Sequence, residues 1–144
     1  MIGVGVVGYG YWGPNLVRNF AESTETQIIG VSVLRPQRLA LAQNRYPSIQ
    51  VTGDYHQLLG NPRVDAIAIS TPVSTHFPLA MQALQAGKHV LVEKPLAASS
   101  AEAETLIEEA DRRKLVLMVD HSFVYTSAPC TWRCRLPASD PATR

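Results

Sequence analysis

Gly8-Tyr9-Gly10-Tyr11-Trp12-Gly13 follows at once on the apolar run Ile2 to Val7 and opens into a helical pattern that begins at Pro14. G-x-G-x-x-G between a strand and a helix leaves the backbone few options. Gly8 makes the tight turn out of the strand. Gly10 lets bare backbone approach a pyrophosphate, and Gly13 lets the helix pack close on the strand. The unpaired N–H groups of the new helix, together with its dipole, then face an anion. The expected ligand is a dinucleotide, held by Gly8, Gly10, Tyr11, Trp12 and Gly13. Pro14 suits the first turn of the helix, because its missing N–H is not needed there.

Strand and helix patterns alternate through the rest of the chain, as in parallel β-α-β units. Ile2 to Val7, Gln27 to Leu34, Ile49 to Thr52, Val64 to Ser70, His89 to Val92 and Leu115 to Val119 predict six strands. Leu16, Val17 and Phe20 mark the first helix. Leu39, Ala42 and Tyr46 mark a second, which Pro47 ends. Asp54 is placed to cap a short helix over Tyr55 to Leu59. Thr75 is placed to cap the next helix, with Phe77, Ala80, Met81 and Leu84 as its buried stripe and Gly87 at its end. Ser99 and Glu102 form a capping box for a helix burying Ala103, Leu106, Ile107 and Ala110. The fold expected is α/β: a doubly wound, mainly parallel Rossmann sheet with helices on both faces. Ligands are expected at the carboxyl ends of its strands.

Composition narrows the function. An apolar fraction of 46% with 17% charged residues describes a globular chain, and 144 residues suit one domain with its own core. A formal net charge of +1 offers no electrostatic footprint for nucleic acid or an anionic membrane. No apolar run is long enough to span a bilayer, and no secretory pattern follows Met1. Cys130 and Cys134 make neither a disulfide framework nor a four-ligand zinc set, so no metal is expected. A cytoplasmic protein is the plain expectation.

Three further clusters lie where ligands bind in this topology. An acid at the end of the second strand normally holds the adenosine ribose hydroxyls, but that position is Val33, with Arg35 and Arg38 close behind. The arginines either receive a 2′-phosphate or are solvated at the start of a helix, so NAD and NADP both stay open. Ser70-Thr71-Pro72 ends the fourth strand, with His76 just beyond. Glu93-Lys94-Pro95 ends the fifth. The polar groups converge on one crevice. His76 either satisfies local backbone or touches the ligand, and His121 either lies near the site or closes a strand.

Together these segments resemble the glucose–fructose oxidoreductase / inositol dehydrogenase / rhizopine-catabolism (Gfo/Idh/MocA) family. The likeness covers residues 1–126, and Gly87-Lys-His-Val-Leu-Val-Glu93-Lys94-Pro95 is its most diagnostic stretch. It implies NAD(P)-dependent oxidation or reduction of a sugar, cyclitol or nucleotide-sugar hydroxyl. The opening loop and the run Val119 to Tyr125 look most like members acting on nucleotide-linked sugars. By the resemblance, Lys94 is the catalytic residue beside the nicotinamide and the reacting hydroxyl. Glu93 orients Lys94 or a ribose hydroxyl, Thr71 and Pro72 line the cofactor crevice with His76 in support, and Pro95 belongs with the cofactor-binding residues.

The resemblance also sets an expectation about the remainder. Family members continue into an α+β domain that supplies the substrate wall, the acid–base groups and the oligomer contact. Residues 127–144 contain three prolines and follow neither structural period. They read as an irregular tail from truncation or a shifted frame. Two functions are therefore expected: the cofactor domain of a sugar-type oxidoreductase, or a nucleotide-binding module without turnover. Oligomerisation is expected only with the missing domain. A redox-sensing regulator is least favoured, for want of a DNA-reading element.

Overall fold

Each strand of the computed structural model grows from a short apolar, β-branched run, and the order in which the runs pair decides where a ligand can sit. The structure describes residues 1–121. The elements run β1 (Ile2–Val7), α1 (Gly13–Glu22), β2 (Thr26–Ser32), α2 (Pro36–Arg45), β3 (Gln50–Thr52) and α3 (His56–Leu59). They continue with β4 (Ala66–Ile69), a 3₁₀ turn (Val73–Thr75), α4 (His76–Gln85), β5 (His89–Glu93), α5 (Ser100–Arg113) and β6 (Leu117–Asp120). The sheet order is β3-β2-β1-β4-β5-β6, and all five pairings are parallel. Strand order reverses between β1 and β4, which is where a doubly wound sheet is expected to hold a ligand at its carboxyl edge.

Helices cover both faces, so two apolar clusters form. One gathers Leu58, Ile67, Ile69, Leu84, Val92 and Leu106 under α4 and α5. The other gathers Val4, Val6, Val17, Val31 and Ala42 under α1 and α2. Burying each large aliphatic side chain is worth about 1.5–3 kcal/mol, which outweighs the weak propensity of short β runs. This is the doubly wound α/β sheet that the alternation predicts.

Several local expectations change. Both β2 and β4 stop short of the predicted ends. Val33 still donates its N–H to Thr52 O at 2.9 Å, but the chain has begun to turn. Thr75 caps nothing: its Oγ1 lies 2.7 Å from Pro72 O and 2.8 Å from Thr71 Oγ1, inside the 3₁₀ turn. The buried residues of α4 are His76, Ala80, Ala83 and Leu84, with Phe77 and Met81 only partly covered. On α5, Leu106 and Ala110 are buried, whereas Ile107 is 48% exposed. The Ser99–Glu102 capping box forms, with Glu102 N–H donating to Ser99 Oγ at 3.2 Å. Its return bond goes from Ala98 N–H to Glu102 Oε2 at 3.0 Å. Gly87 closes α4 with φ 76°. The predicted tail at 127–144, with Cys130 and Cys134, lies outside the described residues.

Candidate cofactor site

The three glycines of the loop do different work. Gly8 has φ 96°, and a Cβ there would fall 2.6 Å from Ser70 O. At Gly13 a Cβ would meet Gly8 O. Both are required by the fold itself. Gly10 has nothing within 4 Å of its would-be Cβ and is exposed, so it faces open space at the crevice. No side chain caps α1, which opens with Gly13 and Pro14, so the start of the helix has no side-chain acceptor. Tyr9 is buried against the second cluster. Tyr11 and Trp12 are 84% and 49% exposed and stand edge to face, with ring centroids 5.4 Å apart.

The turn after β4 is stitched to this loop. Ser70 N–H donates to Val7 O at 2.8 Å, and its Oγ donates to Gly8 O at 3.0 Å. His76 then joins it to the turn after β5. Its ring is 1% exposed, with Nε2 2.8 Å from Thr71 O and Nδ1 2.8 Å from Pro95 O. The ring therefore meets backbone, as one of the two sequence readings of His76 has it, and is buried.

The turn after β5 carries the charge. Lys94 is exposed, and its bond to Pro95 is cis. The ion pairs among the described residues join Glu109 to Arg112 and Arg113, so Lys94 has no ionic partner there. Glu93 is 8% exposed and pairs in register with Asp120 of β6. Burial pushes its carboxyl above the usual range, and the charge and hydrogen bond of Asp120 push it further. The Lys94 backbone N–H and ammonium pull it back in part. Sequence patterns do not single out Asp120; its place at the end of the strand beside Glu93 is the signal that finds it. His121 is exposed, and its N–H turns back to Val119 O at 2.9 Å.

At the end of β2, Val33 is 7% exposed and belongs to the core, while Leu34 is 87% exposed. Arg35 and Arg38 are exposed, and Arg35 O accepts from Arg38 N at 3.0 Å across the first turn of α2. One edge therefore gathers the glycine loop, Thr71, Pro72, Glu93, Lys94 and Pro95, with the arginines beyond β2. Among the described residues no three His, Cys, Asp or Glu side chains are grouped to hold a metal, and no helix is long and apolar enough to cross a membrane.

Known proteins share this fold. The model of the oxidoreductase family with an NAD-binding Rossmann fold (Gfo/Idh/MocA) matches residues 2–121. The chain is 39% identical over 109 residues to dTDP-3,4-didehydro-2,6-dideoxy-alpha-D-glucose 3-reductase of Streptomyces violaceoruber, covering 76% of this chain and 32% of that protein. It is 38% identical over 122 residues to UDP-N-acetylglucosamine 3-dehydrogenase of Acidithiobacillus ferrooxidans, covering 81% and 36%. The 3-ketoreductase KijD10 of Actinomadura kijaniata, solved with TDP-benzene and NADP in an open conformation, superposes with a TM-score of 0.82 at 29% identity, covering 91% of this chain and 42% of that one. The chain thus spans about a third of the length of these curated relatives.

Proposed function

This chain belongs to the Gfo/Idh/MocA oxidoreductases with their NAD-binding Rossmann fold, and from that premise we propose that the carboxyl edge of its sheet holds NAD or NADP for oxidising or reducing a sugar, cyclitol or nucleotide-sugar at a hydroxyl carbon. The observation that carries the reading is the open space at Gly10 beside an uncapped helix start. A pyrophosphate fits that cradle chemically: it needs bare backbone, N–H donors and a positive dipole end. Gly8 and Gly13 hold the cradle's shape, and Tyr11 and Trp12 flank it.

Arg35 and Arg38 favour NADP in this reading. Val33 puts an apolar side chain where an acid would hold ribose hydroxyls and repel a 2′-phosphate. Thr71 and Pro72 line the crevice between the loop and the nicotinamide end, where Glu93, Lys94 and Pro95 stand. The bound nicotinamide supplies the hydride donor or acceptor. The exposed Lys94 ammonium hydrogen-bonds the substrate oxygen that gains negative charge, and Glu93 beneath it steadies its direction. The substrate class rests on the relatives' own names, two of which are a nucleotide-sugar 3-reductase and 3-dehydrogenase.

Calorimetry with NAD, NADH, NADP and NADPH tests the reading. We expect binding, with the phosphorylated pair preferred and that preference lost in Arg35→Ala with Arg38→Ala. A folded chain that binds none of the four would refute it.

A further inference from the structure

We infer that His76 is a positioning residue: its buried imidazole ties the turn after β4 to the turn after β5 and so sets where Lys94 stands. The role rests on the proposed place of Lys94 at the nicotinamide end. Its geometric basis does not.

His76 opens α4, a helix anchored in the core through Ala80, Ala83 and Leu84. Its support is therefore stiff. The ring nitrogens stand 2.8 Å from two carbonyl oxygens that belong to different turns, Thr71 O and Pro95 O. A carbonyl only accepts, so the ring is the donor in any hydrogen bond it makes to either oxygen. Pro95 has no N–H of its own, so its carbonyl is the one backbone polar group by which that residue can be held. It is also the residue bonded to Lys94. Losing the imidazole would remove the ring partner of both carbonyls and release the turn that carries the ammonium.

Two measurements test this. Through-hydrogen-bond NMR couplings in the isotope-labelled, ligand-free chain should link the His76 ring to the Pro95 carbonyl. Absence of that coupling would overturn the proposal, because the turn that carries Lys94 would then be unheld. In His76→Gln, affinity for NADPH should fall about tenfold, while affinity for ADP-ribose, which has no nicotinamide, stays unchanged. An equal loss for both ligands, or none for either, would mean that His76 does not act through Lys94.

If the unmutated chain binds no dinucleotide, the cofactor reading fails and the amide signals decide the positioning role alone. Lys94 and Leu96 should shift in His76→Gln while β1 does not; unmoved signals would overturn it. If His76→Gln does not fold, the ring measurement on the unmutated chain decides.

Discussion

The two edges of the sheet use the same kinds of side chain to opposite ends. At the amino edge, polar side chains seal the strands to one another. Asp65 Oδ2 accepts from Gly3 N–H at 2.7 Å. Lys88 Nζ donates to Val64 O at 2.7 Å and Asn61 O at 3.2 Å. His89 Nδ1 accepts from Val116 N–H at 3.0 Å. At the carboxyl edge Lys94 has no ionic partner among the described residues, Glu93 sits beside another carboxyl, and Gly10 borders empty space. A lysine and a carboxylate spent on backbone hold a fold together. At the carboxyl edge the lysine is left without an ionic partner among the described residues, and the carboxyl is paired with another carboxyl rather than with the strands' backbone.

The sharpest way to break this contrast is to add one methyl group at each edge. A Cβ at Gly3 would run into Arg63 O, a backbone atom with little room to retreat. Gly3→Ala should cost about 3 kcal/mol, read as a lower urea midpoint. A midpoint close to that of the unmutated chain would show that the amino edge is looser than described.

Single deletions of the seals should cost less. Lys88→Met keeps much of the stem but removes the ammonium that donates to Val64 O and leaves Asn61 O with the Val64 N–H alone. We expect a loss of about 1–2 kcal/mol in chemical denaturation. Lys94→Met, the same change at the other edge, should leave stability within about 0.5 kcal/mol. Equal losses at the two positions would erase the distinction between the edges.

Glu93 gives the mildest effect and an opposite sign. Burial and Asp120 hold its carboxyl above the ordinary value in the folded state. Between the ordinary value and the raised one, the folded chain keeps a proton that the unfolded chain releases. Stability therefore falls as pH rises through that window. Glu93→Gln should flatten this part of the stability profile and be more stable than the parent above it. Unfolding midpoints measured from mildly acidic to neutral pH check this. A parallel pair of profiles would mean that Glu93 is not strained by its surroundings.

Much of this is legible in the sequence. Buried parallel strands announce themselves as unbroken apolar runs, so all six are predicted, and the glycine motif with Glu93-Lys94-Pro95 points to one edge. What the sequence hides is pairing across distance. Asp120 matters because β6 lies in register with β5, and no local pattern reports that. His76 can be read as a backbone partner or a ligand contact until α4 and the two turns are seen together. Thr75 looks like a helix cap, yet the 3₁₀ turn before α4 claims its hydroxyl. Ile107 fits the helical stripe but lies 48% exposed along α5, where Leu106 and Ala110 are the buried positions. Val33 is buried in the core, so Val33→Asp is a stability experiment as much as a specificity one.

Gly10 offers the most direct test of the carboxyl edge as a dinucleotide site, since a Cβ there meets no protein atom within 4 Å. Gly10→Ala should unfold at the same temperature as the parent, so any change in binding belongs to the ligand and not to the fold. Calorimetric titration of both chains with NADPH and NADH is the measurement. The unmutated chain should bind, and Gly10→Ala should bind about tenfold more weakly or worse, because the methyl group holds the pyrophosphate off the backbone. Equal affinity in the two chains, with unfolding temperatures also equal, would contradict a dinucleotide site at this edge.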